Sequence, residues 1–255
     1  MKYFVTADRH VRSSMGKIAR NAESRTIKRL RIQSWFQAVS HASGLSAGEL
    51  EYQFSLANEQ CPRSCIWDKY RRGDVAPRDG LIKAVEDRYP GTAQWLHSPL
   101  WRFADEIPMD MAEIRSAYER LPSLLRSMFV VRQATESTVF WRRPVETSEA
   151  CDILLRINSI DALIATLLLV KEAETAQIQD QHMEGIHFAL SYLARFTRHP
   201  AIGGAINSDL QIYLKSRWAN LVYPEIPEDN YDAQTGDNSH LYPDTGAIAE
   251  PSSMR

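Results

Sequence analysis

An apolar stretch in the second half of the chain constrains the fold more than any other feature. Over residues 151–170 the apolar side chains lie at helical spacing and cover more than one stripe: Ile153, Leu154, Ile157, Ile160, Leu163, Ile164, Leu167, Leu168 and Val170. A helix that is apolar on several sides lies at the centre of a helical bundle or inside a subunit interface. Its most apolar part, residues 162–170, is too short to span a bilayer, so we expect no membrane segment.

The segments around this stretch have the three- and four-residue periodicity of amphipathic helices. The pattern predicts helices over residues 110–119, 122–132, 149–179, 180–198 and 208–221. A break is expected within 174–181, which is polar nearly all round. The sequence therefore predicts an all-α fold in which residues 106–223 form a helical bundle for assembly or partner binding.

Charge is distributed unevenly along a chain whose formal net charge is only −2. Residues 1–34 contain nine Lys or Arg and two acidic residues, whereas residues 225–255 contain seven acidic residues and one Arg. A basic segment of this kind indicates a polyanionic partner. We expect residues 1–25 to be a basic flexible arm. Residues 224–255 are expected to be an acidic disordered tail, because they contain too little apolar surface to offset the entropy of ordering.

Residues 26–105 contain the signals of several short helices. Ser46 and Glu49 have the spacing of a capping box that starts a second helix, and Gly44 suits the left-handed turn that ends the first. A third helix is predicted over 61–72 and a fourth over 78–88. One side of the third helix carries Ile66, Trp67 and Tyr70, and its other side is polar and basic. The aromatic-rich residues 95–103 are expected to pack onto these four helices.

Two groups of residues frame this third helix. The group before it is Gly44, Leu45, Ser46, Glu49 and Leu50, and the group at and after its end is Tyr70, Gly73, Pro77, Ile82 and Val85. Over residues 26–90 the chain thereby resembles the lambda-repressor-like helix-turn-helix family. Two features depart from the family pattern: about six extra residues separate Ser46 from Gly73, and Ala47 stands where the family often has a DNA-contacting Gln.

The resemblance implies a sequence-specific DNA-binding protein, a transcriptional regulator of bacterial or phage type, whose recognition helix at 61–72 lies in the major groove of double-stranded DNA. Base contacts are expected from Arg63, Ser64, Asp68 and Lys69. Phosphate contacts are expected from Arg71, Arg72, Arg78, Arg25, Lys28 and Arg29. Asp68 has two interpretations, since it either accepts from cytosine N4 or pairs with Arg71 or Arg72.

The helix-turn-helix interpretation also predicts a homodimer, because a two-fold dimer presents two recognition helices to half-sites about one DNA turn apart. The alternative function is a non-enzymatic adaptor that uses the same domain on a protein partner. A further protein partner of the C-terminal bundle is compatible with either function.

Metal and catalytic signals are weak throughout the sequence. Cys61 and Cys65 are four residues apart, but no second ligand pair accompanies them, so no zinc site is expected. His182 and His187 are five residues apart rather than the four that place two imidazoles on one helical face. The sequence contains no Gly-rich phosphate loop and no GxSxG motif. We therefore expect no enzymatic activity and no cofactor, and the three cysteines and the lack of a signal-peptide pattern predict a cytoplasmic location.

Overall fold

The computed structural model describes residues 24–54, 65–131 and 141–219. Its helices are α1 (Arg25–Ser43), α2 (Ala47–Phe54), α3 (Ile66–Arg72), α4 (Asp79–Arg88), α5 (Ala93–His97), α6 (Pro99–Ala104), α7 (Met111–Glu119), α8 (Ser123–Phe129), α9 (Thr147–Ile157), α10 (Ile160–Ala176), α11 (Gln179–Arg195) and α12 (Gly204–Ala219). Within these ranges, extended pairing is limited to the antiparallel bridge between Val130 and Arg142. The all-α prediction is confirmed. Residues 1–23 of the expected arm and the whole expected tail lie outside the described residues.

Helix α10 lies at the centre of the bundle. Its residues 162–171 are all buried, and it packs against α6, α7, α9 and α11. The contact with α11 is close at Gly185, where an added Cβ would lie 2.9 Å from Cγ2 of Val170. The chain itself therefore buries the apolar surface of α10, which needs no second copy to cover it. No helix in the described ranges has the length and apolarity needed to cross a membrane.

The single helix predicted over 149–179 is wrong, because it is two helices. Asn158 adopts a left-handed conformation with φ 50° and ends α9. The side chain of Ser159 then accepts a hydrogen bond from the Ala162 N–H and starts α10. The break expected within 174–181 is confirmed, since Gln177 is left-handed with φ 59° and separates α10 from α11.

Two other predicted boundaries also need correction. The helix expected over 122–132 ends at Phe129, because Val130 takes an extended conformation and bridges to Arg142. The helix expected over 208–221 begins earlier, at Gly204, which follows the turn at residues 200–202.

The buried apolar side chains form two core clusters, and α1 contributes to both. Ile27 and Leu30 belong to the larger cluster, built mainly from α6 to α12, whereas Trp35 and Val39 belong to the smaller one, built with α2 to α5. The aromatic-rich residues 95–103 do not all pack on the N-terminal helices as expected. Leu96 does so, but Leu100, Trp101 and Phe103 belong to the larger cluster. The domain boundary predicted at residue 105 thus follows directly after α5 and α6. Of these two helices, α5 contributes to the smaller cluster and α6 to the larger one.

The connector between α6 and α7 is held by basic side chains of the bundle. Nζ of Lys171 donates to the Ile107 carbonyl at 3.1 Å, and Arg217 donates to the Ala104 carbonyl at 3.1 Å. Glu174 joins these two cations, with its Oε2 3.3 Å from Lys171 Nζ and in an ion pair with Arg217. A buried charge is costly unless it is paired and hydrogen-bonded, and this cluster meets both conditions.

Candidate nucleic-acid interface

The expected capping box is present at the start of α2. The Ser46 N–H donates to Oε2 of Glu49 at 2.8 Å, and the Glu49 N–H donates to the Ser46 hydroxyl at 3.4 Å. The Ser46 hydroxyl also donates to the same Oε2 at 2.7 Å. The two hydrogen bonds that the carboxylate accepts from Ser46, first the one from its backbone N–H, stabilise the charged form of Glu49 and lower the pKa of its carboxyl group. Gly44 ends α1 with φ 70°, as its position in the sequence predicts.

Helix α3 is shorter than the predicted recognition helix at 61–72. It begins at Ile66, because Cys65 is left-handed with φ 51° and serves as the N-cap. Residues 61–64 lie outside the described residues. Oε2 of Glu51, on α2, accepts a hydrogen bond from the Trp67 N–H at 3.1 Å. This contact joins the first turn of α3 to α2 and satisfies a backbone donor that the short helix leaves without an intrahelical acceptor.

One side of α3 is anchored by aromatic packing, as its sequence predicts. Trp67 and Tyr70 are both buried. Their ring centroids lie 5.7 and 5.6 Å, respectively, from the ring centroid of Trp35 on α1. Phe54 of α2 contacts Trp67 with a centroid distance of 5.6 Å. The packing fixes which side of α3 faces away from the domain.

The end of α3 lies against α1. Gly73 is left-handed with φ 75°, and an added Cβ would lie 2.6 Å from both Cγ and the carbonyl oxygen of Arg29. Nearby, the side-chain amide of Gln33 donates to the Arg72 carbonyl at 3.2 Å. Close backbone approach and a positive φ both require glycine here, which gives the glycine at position 73 a physical reason.

The structure places the expected DNA-contacting residues in three situations. Arg63 and Ser64 lie outside the described residues. Three arginines are paired with aspartates: Arg71 with Asp68 at 3.0 Å, Arg72 with Asp74 at 2.8 Å, and Arg29 with Asp209 of α12 at 3.2 Å. In the described part of the chain Lys69, Arg78, Arg25 and Lys28 make no ion pair, and all of these except the half-buried Lys69 are exposed.

The pairing bears on the two interpretations of Asp68. Its carboxylate lies on the same side of α3 as the Arg71 guanidinium and forms an i, i+3 ion pair with it. Between Cys65 and Arg78 there are four basic and two acidic side chains, so the outer surface is basic but partly neutralised. The Asp68 carboxylate thus contacts the Arg71 guanidinium.

Sequence reasoning missed three side chains that shape this surface. Glu51 and Gln33 hold α3 through backbone groups, and Asp209 pairs with Arg29 across 180 positions of sequence. Glu51 and Gln33 carry no signal that distinguishes them from other exposed polar residues of a helix. Asp209 is visible only once α12 is known to lie beside α1.

An open cleft of about 1140 Å³ lies between α5, α6, α7 and the start of α10. Its floor includes Phe103, Leu121 and Ile164, all buried in the larger core cluster. At the rim, Arg102 lies 3.6 Å from Glu113, whose carboxylate also accepts the Asp110 N–H. Arg102 and Glu113 are therefore engaged with each other, and Glu113 also contacts the start of α7.

Cysteine and histidine positions bear on the metal expectation. Cys65 is exposed and Cys151 is buried, and Cys61 lies outside the described residues. His182 is buried in α11, whereas His187 is exposed on the same helix. Within the ranges that the structure describes, no group of three or more His, Cys, Asp or Glu side chains is placed to hold a metal ion.

Comparisons with known proteins give no further assignment. No protein-family model, no curated protein and no solved structure matches this chain. The class that the structure defines is an all-helical protein with a short α2–α3 helix pair whose outer side is basic.

Proposed function

We propose that the protein binds double-stranded DNA in a sequence-specific manner through α3 and acts as a cytoplasmic transcriptional regulator. The observation that supports this most directly is the orientation of α3. Trp67 and Tyr70 anchor one side to α1, so Asp68, Lys69, Arg71 and Arg72 lie on the remaining side. A helix with one anchored side and one polar, basic side has the form needed to enter a major groove.

The neighbouring helices extend the basic surface beyond α3. Arg78 is exposed at the N-cap of α4, and Arg25 and Lys28 are exposed in the first turn of α1. Cations beside a recognition helix neutralise backbone phosphates and add affinity that does not depend on base sequence. We assign Lys69 to base readout, and Arg71, Arg72, Arg78, Arg25 and Lys28 to phosphate contacts.

Dimerisation belongs to the same proposal, since two copies would bind two half-sites. Because α10 is covered by its own chain, the dimer surface would lie on other helices. Analytical ultracentrifugation with and without a duplex containing two half-sites tests this part. A stable monomer that binds one site per duplex would overturn the proposed dimer and leave the proposal of DNA binding unchanged.

The proposal is tested by binding the purified full chain to a fluorescent random-sequence duplex across a salt series from 50 to 300 mM. The test variant is Lys69→Ala with Arg78→Ala. The matched control is Arg156→Ala with Lys215→Ala, which removes two exposed cations from α9 and α12. We expect wild type to bind with steep salt dependence, and the test variant to bind more weakly and to lower the magnitude of the log–log slope by about 0.9, the one phosphate contact of Arg78.

Selection from a random duplex library then tests sequence specificity. Enrichment of one motif by wild type, and its loss in the Lys69 and Arg78 variant, is the expected result. Failure of a folded wild-type protein to bind any duplex at 50 mM salt would overturn the proposal.

The second candidate function is a protein-binding adaptor, and two observations favour it. Each of the three arginines Arg29, Arg71 and Arg72 already has an aspartate partner. The open cleft of about 1140 Å³ also offers a second surface with an apolar floor. If DNA binding fails, capture of protein partners with wild type and an Ala112→Asp variant, altered at an exposed residue that lines the cleft, is the next experiment.

A further inference from the structure

Arg29 occupies a position where three helices meet. Its backbone and Cγ lie against Gly73 at the end of α3, so the residue is held directly beneath the recognition helix. Its side chain extends from this contact to α12, where Nη2 of the guanidinium lies 3.2 Å from Oδ2 of Asp209. Both side chains are about half exposed, at 48% and 43%, so a solvent-borne anion has access to the same guanidinium.

Other contacts fix the position of α12 relative to the start of α1. The carboxylate of Asp105 accepts hydrogen bonds from the Ser24 N–H at 3.2 Å and the Tyr213 hydroxyl at 3.4 Å. Arg217 of α12 donates to the Ala104 carbonyl in the same region. Tyr213 and Arg217 therefore anchor α12 one and two turns after Asp209. This anchoring holds the Asp209 carboxylate beside Arg29.

We propose that Asp209 restrains Arg29 in the free protein and that DNA phosphates compete with it for the guanidinium. A carboxylate and a phosphate present similar oxygen pairs to arginine, so one replaces the other without a new geometry. This inference rests on the proposed DNA binding and adds to it a regulation of affinity by α12. An exposed ion pair is weak, so the restraint lowers DNA affinity only modestly.

The test compares Asp209→Asn with wild type on the random duplex, across the same salt series. Release of Arg29 is expected to raise affinity two- to five-fold at 50 mM salt and to steepen the log–log salt slope by about 0.9, one additional phosphate contact. Asp209→Glu keeps a carboxylate and is expected to bind like wild type. Thermal unfolding of each variant confirms that the fold is retained.

Two controls separate a local effect from a change of net charge. Asp152→Asn removes one exposed acid from α9 and is expected to leave the salt slope unchanged. In an Arg29→Ala background, Asp209→Asn is expected to have no more effect than Asp152→Asn, because the guanidinium that it would release is gone.

The failures of the two proposals are distinguishable. If wild type binds DNA and Lys69→Ala with Arg78→Ala weakens it, but Asp209→Asn behaves like Asp152→Asn, the restraint is wrong and DNA binding stands. If wild type binds no duplex, both proposals are overturned.

Discussion

The indole rings of Trp35 and Trp67 stack with their centroids 5.7 Å apart and their planes inclined by 18°. Trp35 is fully buried in α1, and Trp67, 2% exposed, is the first large side chain of α3. Since α3 has only seven residues, backbone hydrogen bonds alone do not hold such a helix in place. The stack and its aromatic neighbours therefore determine the orientation of the proposed recognition helix.

Trp67→Ala tests this dependence. Loss of a buried Trp side chain and the cavity that it leaves are expected to reduce the free energy of unfolding by about 3–5 kcal/mol. The matched variant is Tyr52→Ala, on α2, whose side chain is 89% exposed and whose loss is expected to cost less than about 0.5 kcal/mol. Urea unfolding followed by tryptophan fluorescence and circular dichroism measures both. Equal costs in the two variants would contradict the packing argument.

Local signals in the sequence predicted some elements and not others. The capping box of Ser46 and Glu49, the left-handed Gly44 and Gly73, and the break after Glu174 depend on neighbouring residues, and the structure contains all of them. The Asn158–Ser159 break also has a local signal, since Asn tolerates the left-handed conformation and Ser caps helices. The apolar periodicity that continues on both sides obscured it.

The composition of the site was less predictable for a different reason. Pairing of Asp68 with Arg71 or Arg72 is one of the two interpretations that the sequence allows, and the structure has it with Arg71. The pair of Arg29 with Asp209, in contrast, depends on the packing of distant helices. Lys171 shows the same limit, because a lysine in an apolar helix indicates nothing about the carbonyl and carboxylate that surround it.

Gly73→Ala is expected to destabilise the protein more than Gly44→Ala or Gly48→Ala. The new Cβ would lie 2.6 Å from backbone and side-chain atoms of Arg29, and φ is 75°, so strain and overpacking together are expected to cost about 2–4 kcal/mol. Gly44→Ala has φ 70° but open space, so only the backbone strain of about 1 kcal/mol is expected. Gly48→Ala, inside α2 with open space, is expected to stabilise by about 0.5–1 kcal/mol.

Chemical denaturation of these three glycine variants gives their order directly. The order of stability Gly48→Ala, then Gly44→Ala, then Gly73→Ala is the expected result. A Gly73→Ala variant as stable as Gly44→Ala would show that α1 and α3 separate without cost, and would contradict the argument that α1 supports α3.

Lys171 gives the protein an alkaline dependence of stability. Burial lowers the pKa of its amine from 10.5 to about 8, an effect that Arg217 increases and Glu174 opposes. Between these two pKa values the unfolded chain binds more protons than the native one, so stability rises with pH. Relative to Lys171→Met, wild type is expected to gain about 2 kcal/mol between pH 8 and pH 10.

The alkaline prediction is measured by urea unfolding of wild type and Lys171→Met at half-unit pH intervals. Subtracting the variant removes the contribution of tyrosines that titrate in the same range. The exposed Lys83→Met is the control and is expected to follow wild type. A difference that falls with pH would contradict the assignment of a buried, partly discharged amine.

His182 gives a dependence of the same sign at acidic pH. The ring is buried and contacts Trp218 edge-on, with centroids 6.3 Å apart. Burial lowers the pKa of His182 to about 4; among the charges that face it, Glu174 raises the pKa, and Arg217 and Lys171 lower it. The unfolded chain therefore takes up a proton below pH 6.5 that the native chain takes up only near pH 4, so stability falls as the pH falls.

The acid prediction compares wild type with His182→Leu, which does not titrate. Wild type is expected to lose about 1–2 kcal/mol relative to this variant between pH 6.5 and pH 5. His187→Leu, at an exposed position of the same helix, is expected to keep the pH dependence of wild type. If His182→Leu and wild type lose stability in parallel, the imidazole is protonated in the native state and the buried cluster around Glu174 admits a further cation.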